Sequence, residues 1–348
     1  MSLFSGVRSL LLLAILATGF SVSSDSASQP LKVIKVGCSP VLSSIGIYLA
    51  AEEGYFRDAG LNVEITDFAG SGAPMTLLLE NRQLDVGAGN LTAALFEAIG
   101  EGKKLRLVAD KGHLDAQHDY IQLLVRTDLI KNGRYKHLQD LKGLKFGLTT
   151  LEGVSQHVLF DRFLHQVGLS DKQVEFVKLT YPEINAALKS GAIDGAVQIE
   201  PYLTQALIEG FAQSVATGDS VYPQQQSAAV IYGPSLLERT EQGVQFMTAY
   251  LKGVRLYIKS QTDDKLKHEI AERLKRQFPL SENVWNKMIP IGIAADGHLE
   301  LASIDSDLNW YVKNGKMKKV VAAKDIVEPQ FATTAASRLD ADQAKKHP

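Results

Sequence analysis

Between residues 33 and 215, short apolar runs alternate with segments whose apolar positions recur every three or four residues. The runs suit buried strands and the periodic segments suit amphipathic helices, so the alternation predicts a mainly parallel sheet with helices on its faces. The first half predicts strand Val33–Val36, helix Ser44–Asp58, strand Asn62–Thr66, helix Pro74–Asn81, strand Asp85–Ala88 and helix Leu91–Gly100. The second half repeats that order with strand Leu144–Leu148, helix Val154–Val167, strand Val174–Leu179, helix Pro182–Lys189, strand Asp194–Gln198 and helix Pro201–Ile208. After Gly210 come strand Phe211–Val215, an apolar run Ser227–Tyr232 and mostly helices from Pro234 to Asn314, where Val244, Met247, Leu251 and Val254 recur at helical spacing.

The punctuation of the two halves echoes as well. Gly37 pairs with Gly147 at an offset of 110, Gly60-Leu61 with Gly168-Leu169 at 108, and Leu79…Asp85 with Leu188…Asp194 at 109. Each Gly-Leu reads as a glycine C-cap before a strand, and Pro74, Pro182 and Pro201 sit where a first helical turn tolerates proline. Two similar α/β lobes leave a cleft beyond the carboxyl ends of their strands, where ligands of open sheets bind. The loops that would line it are Cys38–Ser44, Ala69–Pro74 and Gly87–Thr92 from one lobe, and Leu148–Ser155, Thr180–Glu183 and Gln198–Tyr202 from the other. Crossings near Leu123–Arg126 and Tyr222–Ala228 make a hinge, with lobe 1 formed by 31–123 and 227–330 and lobe 2 by 124–226. The polar, Ala-rich stretch 331–348 reads as a mobile tail.

Arg8 precedes the apolar run Leu10–Phe20, which falls short of the ~20 residues a membrane span needs and fits the h-region of a secretory signal. The expectation is a signal peptide over 1–24, cleaved after Ser24, and a mature protein in the periplasm; the rival is an uncleaved anchor. Cys38 is the only cysteine, so no intrachain disulfide can form, and it reads as a small buried residue at a strand end. A formal net charge of −2 without a basic run excludes the electrostatic footprint of nucleic-acid binding.

Five segments carry a family resemblance: AAEEGYFRDAGLNVEI (Ala50–Ile65), GSGAP (Gly70–Pro74), LDVGAGN (Leu84–Asn90), LKGLKFGL (Leu141–Leu148) and LKSGAIDGAVQIEPY (Leu188–Tyr202). Across Val33 to Leu256 the chain resembles the substrate-binding proteins of nitrate, taurine, alkanesulfonate and thiamine-precursor importers, relatives of the thiamine-pyrimidine synthases. The resemblance implies a periplasmic-binding-protein type II fold. It also implies a small ligand closed between the lobes and delivery to an inner-membrane ABC permease and its ATPase, by a monomer with no catalysis and no cofactor. The enzymatic branch uses a cysteine-rich iron motif, which a chain with one cysteine lacks. The alternatives are a pyrimidine-forming or other enzyme of this fold, and a binding protein that feeds a sensor.

At the candidate cleft, Gly70, Ser71 and Gly72 could cradle an anion at a helix start, or form a tight turn. Ser39, Ser43, Ser44, Asn90, Thr92, Thr149, Thr150 and Ser155 could bond a ligand or cap helices, while Tyr181, Tyr202 and Tyr222 could stack on a ring. Gln198 and Glu200 follow a strand, and Glu200 precedes Pro201 where the family's Glu-Pro or Asp-Pro step faces the cleft, so Glu200 is expected to touch the ligand. His113, Asp115, His118 and Asp119 form a compact cluster best read as a solvated loop, and no metal site is expected. No Arg or Lys falls in the cleft loops, whereas Glu152 and Glu200 do. The favoured ligand is therefore a small N–H-bearing or heterocyclic organic molecule, ahead of an organosulfonate.

Overall fold

The computed structural model describes residues 31–70 and 73–346. The expected signal peptide lies outside the described residues, as do Ser71 and Gly72. Among the described residues no helix is long and apolar enough to cross a membrane.

Among the described residues, ten strands form two five-stranded sheets. The first sheet holds β1 (Lys32–Cys38), β2 (Leu61–Asp67), β3 (Val86–Asn90) and β4 (Arg106–His113); the second holds β5 (Ile121–Arg126), β6 (Lys145–Leu148), β7 (Glu175–Lys178), β8 (Gly195–Ile199) and β9 (Ala212–Thr217). β10 (Gln226–Tyr232) returns to the first sheet, so the orders β2-β1-β3-β10-β4 and β7-β6-β8-β5-β9 correspond strand for strand. In each sheet the fourth strand is antiparallel to the third and has just arrived from the other lobe. The connecting segments are 114–120 and 218–225, a few residues before the crossings read from the sequence.

The helices in chain order are α1 (Ile45–Glu52), α2 (Tyr55–Asp58), α3 (Ala73–Glu80), α4 (Ala93–Gly100), α5 (Thr127–Lys131), α6 (Ser155–Gln166), α7 (Tyr181–Ser190) and α8 (Tyr202–Glu209). The remainder are α9 (Pro234–Leu237), α10 (Thr240–Ser260), α11 (Asp264–Arg273), α12 (Glu282–Lys287), α13 (Leu301–Lys313), α14 (Ala323–Ile326) and α15 (Gln330–Lys346).

The sequence echo has physical causes. Gly37 lies on β1 and Gly147 on β6, where a Cβ would come within 2.7 Å of Leu84 and 2.9 Å of Ile184; only glycine lets these side chains pack so close to the strand. Gly60 and Gly168 take φ of +78° and +70°, the left-handed helix ending that glycine adopts at least cost. Asp85 accepts the backbone N–H of Lys35 at 2.9 Å, and Asp194 that of Lys145 at 3.0 Å, so each aspartate pins the second strand of its sheet, β1 or β6.

The mobile tail expected over 331–348 is corrected for its described part. α15 buries Phe331, Ala335 and Leu339, four residues apart, against α10 and β4. The Phe331 ring meets Tyr232 edge-on at 4.9 Å, in space left by Gly243. Small alanines make this a helix that packs closely rather than one that floats.

Candidate functional site

A cavity of about 420 Å³ opens at the carboxyl ends of parallel strands from both sheets. The first sheet contributes Phe68, Ala69, Gly70 and Pro74 after β2, and Thr92 and Ala94 after β3. The second contributes Thr149, Thr150, Glu152 and Gly153 after β6, with Lys178 and Thr180 at the end of β7.

Beside the cavity the lobes are tied together. The backbone of Thr92 bridges Val154 in antiparallel fashion, Ala93 N–H donates to Gly153 O at 3.2 Å, and Ser155 N–H donates to Leu91 O at 3.0 Å. The Asn90 amide of lobe 1 donates to Gln156 Oε1 at 2.7 Å and to the Tyr181 hydroxyl at 2.8 Å, and Gln156 Nε2 donates to the same hydroxyl at 2.7 Å. Burial raises the Tyr181 phenol to about 12, so it stays neutral, and its ring stacks on Tyr202 with centroids 6.1 Å apart. The Ser155 hydroxyl donates to Ser227 O at 2.8 Å, another bond between the lobes.

Of the sequence-derived residues, Gly70, Thr92, Thr149 and Thr150 line the cavity. Thr92 also caps α4 by accepting from Leu95 N–H, and Thr150 donates to the Glu152 carboxylate. Asn90, Ser155 and Tyr181 belong to the ties just described. Ser39, Ser43 and Ser44 are buried: Ser39 donates to Gly70 O, Ser44 to Ser39 O, and Ser43 accepts from the buried Lys111 Nζ at 2.9 Å. Gln198, fully buried, donates to Asn185 Oδ1 and Tyr181 O.

Like the three serines, Gln198 and Tyr202, the expected contacts Glu200 and Tyr222 do not line the cavity. Glu200 is fully buried, and its carboxylate accepts from Thr204 Oγ1 at 2.6 Å, Thr204 N–H at 3.1 Å and Ile289 N–H at 3.0 Å. Its backbone oxygen accepts from Leu42 N–H. Glu200 therefore straps α8 of lobe 2 to two segments of lobe 1, and burial pushes its carboxyl up to about 7 against those three bonds. Tyr222 turns its hydroxyl to Asp307 Oδ1 at 2.7 Å and Ser303 O at 3.0 Å on α13, with Arg162 over its ring.

Lys178 and Phe68 escaped the sequence reading because it placed them inside a strand or just before the cleft loop, and helix and strand ends are where such readings slip most. Gln156 was hidden in a helix, although it is the polar residue one step beyond Ser155. Lys178 corrects the expectation of a cleft without lysine. His113 pairs with Asp110 at 2.7 Å and His118 with Asp115 at 2.8 Å, two local histidine–aspartate hydrogen bonds at the first crossing.

Two sheets of matching order, exchanged strands at the crossings and a cavity at their carboxyl ends define the class: a two-lobed α/β protein of the periplasmic-binding-protein type II fold. The chain belongs to the NMT1-like family, whose model matches residues 27–274. It is 23% identical over 80% of its length to a Haemophilus influenzae protein named for thiamine biosynthesis, covering 85% of that protein. It is 26% identical over 67% of its length to a Brachyspira hyodysenteriae protein named as an ABC transporter periplasmic binding protein, covering 70% of it. Among solved structures, the periplasmic nitrate-binding protein of Synechocystis matches with a TM-score of 0.74 at 13% identity, over 90% of this chain and 91% of that one. A desulfurization enzyme shares the fold at a TM-score of 0.59 and 15% identity, over 88% of this chain and 99% of that one.

Proposed function

We propose that the chain is the exported, substrate-binding component of an ABC importer, which holds a small organic molecule between its lobes and passes it to a membrane permease and ATPase. The observation that carries this reading is the cavity at the carboxyl ends of strands from both sheets, bounded by bonds that can form only when the lobes are together. The names of the Brachyspira and Synechocystis relatives agree with it. The ligand we favour is heterocyclic or N–H-bearing, since a volume of about 420 Å³ suits a ring-sized molecule.

A catalytic reading has one specific stimulus, the desulfurization enzyme of the same fold. Against it, the one thiol is poorly placed for nucleophilic work: Cys38 is fully buried, donates to Tyr48 at 3.2 Å and is pushed up by burial to about 12. A thiolate is scarce at neutral pH under those conditions. The test is to identify by mass spectrometry the compound that co-purifies with protein from the periplasmic fraction. Stoichiometric return of that compound unchanged supports binding; its conversion by the purified protein supports the enzyme.

A further inference from the structure

We infer that the clamp is proton-coupled: closing the lobes takes up protons on two carboxylates at the lobe junctions, Glu200 and Asp307, so that the closed form gains on the open one as alkaline surroundings turn neutral. The inference rests on the importer reading only in taking the two sheets as lobes that part and close.

The two carboxylates are placed alike. Glu200, just before α8, is fully buried where the lobes meet: Ile289 N–H bonds its carboxylate and Leu42 N–H its backbone oxygen, both from across the junction. Its other two bonds come from the Thr204 hydroxyl and N–H, so every donor to the carboxylate is neutral, and the Tyr257 phenol of α10 also faces it. Asp307, on α13, is fully buried against the second crossing and α6. The Tyr222 hydroxyl donates to its Oδ1 at 2.7 Å, and the Gln225 amide, the Arg162 guanidinium and the Tyr311 phenol face it as well. Arg162 bonds Ser306 at 2.8 Å and lies over the Tyr222 ring at 3.6 Å, so its charge reaches Asp307 from a distance.

A carboxylate sealed from water with only neutral donors is costly, and holding a proton relieves that cost. Burial pushes both carboxyls up to about 7, in Glu200 against its three bonds and in Asp307 against Tyr222, Arg162 and Gln225. Part of the cover over each comes from across the junction, so parting the lobes admits water and returns them toward their ordinary 4.5 and 3.8. A group that holds its proton more tightly in the closed form draws the equilibrium to that form as pH falls. Each carboxylate therefore raises the closed-to-open ratio about fourfold between pH 8.5 and 6.5. One junction group works the other way. His157 of α6 is buried against Phe176 of β7 and Trp310 of α13, and burial, then Lys316, lowers its ring to about 4 against the pull of Asp171 and Asp161. Closing strips His157 of a proton, which opposes the carboxylates by about twofold at pH 6.5 and leaves a net response of about eightfold.

The test reads the lobes directly in the ligand-free protein. Lys104→Cys before β4 and Lys172→Cys before β7, exposed positions on the two lobes, carry spin labels, while the buried Cys38 thiol is left unlabelled. Pulsed dipolar spectroscopy then counts closed and open populations in steps from pH 6.5 to 8.5. The closed-to-open ratio should fall about eightfold over that range. Glu200→Gln or Asp307→Asn alone should leave a fall of about twofold, and the double variant should reverse the response, with a rise of about twofold from His157. Circular dichroism checks that each variant is folded, and the parent and single variants decide the matter if the double variant is not. A parent ratio that is independent of pH or rises towards alkali overturns the inference, as does a single distance at every pH. So does a single variant whose response equals the parent's. Undiminished uptake in cells lacking the gene would instead contradict the importer reading and leave the proton coupling standing.

Discussion

Glu200 shows how a single carboxylate can be read from its neighbours along the chain and still be misplaced. A Glu-Pro step after a strand marks the right end of the sheet, but the direction of the side chain is set by Thr204 one turn later and by Ile289, 89 residues away, which no local pattern encodes. Because two of its carboxylate bonds hold the first turn of α8 and the third, to Ile289, joins the lobes, and because it does not line the cavity, Glu200→Ala should destabilise the ligand-free protein by about 1–3 kcal/mol, read from urea unfolding, while shifting Kd less than about threefold. Its pH dependence follows from a folded value of about 7 against an ordinary 4.5. The native state holds the proton more tightly, so this stability is complete below pH 4.5 and is lost as pH rises to about 7. His157 acts oppositely. Buried between the edges of Phe176 and Trp310, with both ring nitrogens unpartnered, it is depressed by burial to about 4 from 6.5. Stability due to the neutral ring is present above pH 6.5 and disappears as pH falls to about 4. His157→Phe should therefore raise the urea midpoint at pH 4.5 relative to pH 7.5, compared with the parent; an unchanged ratio would show that His157 does not govern the acid limb.

At the scale of elements, the paired halves were legible because their punctuation is chemical. Gly37 and Gly147 admit close-packed side chains, Gly60 and Gly168 end helices in the left-handed region, and Asp85 and Asp194 hold β1 and β6 through the N–H groups of Lys35 and Lys145. Each requirement leaves a residue type that can be read without knowing the fold. α15 was not legible for the converse reason: its anchoring positions are mostly alanine, which carries little apolar signal, and the surface it meets is assembled from α10 and β4 far earlier in the chain. Phe331 is the exception, buried against Tyr232 and Gly243. Phe331→Ala should cost about 3–5 kcal/mol, and a chain ending at Pro329 should lose more than that, measured by thermal and urea unfolding. Melting temperatures equal to the parent's would mean that α15 does not contribute to the lobe.

At the scale of the molecule, the crossing strands explain how one chain forms a clamp. β5 and β10 each complete the sheet they enter immediately after the crossing, so the hinge is short and its two sides are rigid. The Asn90–Gln156–Tyr181 bonds then act as a clasp on the cavity side, while Trp310 Nε1–Asp161 at 2.7 Å and Arg162–Ser306 at 2.8 Å join α13 to α6 elsewhere. Ligand at 100 times its Kd should stabilise the protein by about 2.7 kcal/mol through mass action. Gln156→Ala, which removes two bonds of the clasp, should give a larger radius of gyration without ligand than the parent, and ligand should reduce the difference. Identical scattering of the two proteins would show that the clasp does not hold the lobes.

The central claim is that this chain delivers what it binds. Its most direct test is the uptake of the isotope-labelled co-purifying compound by cells with and without the gene, at a concentration near Kd. The account predicts that uptake falls to background without the gene and returns when the full chain, including residues 1–24, is supplied. Undiminished uptake in the deleted cells would contradict it.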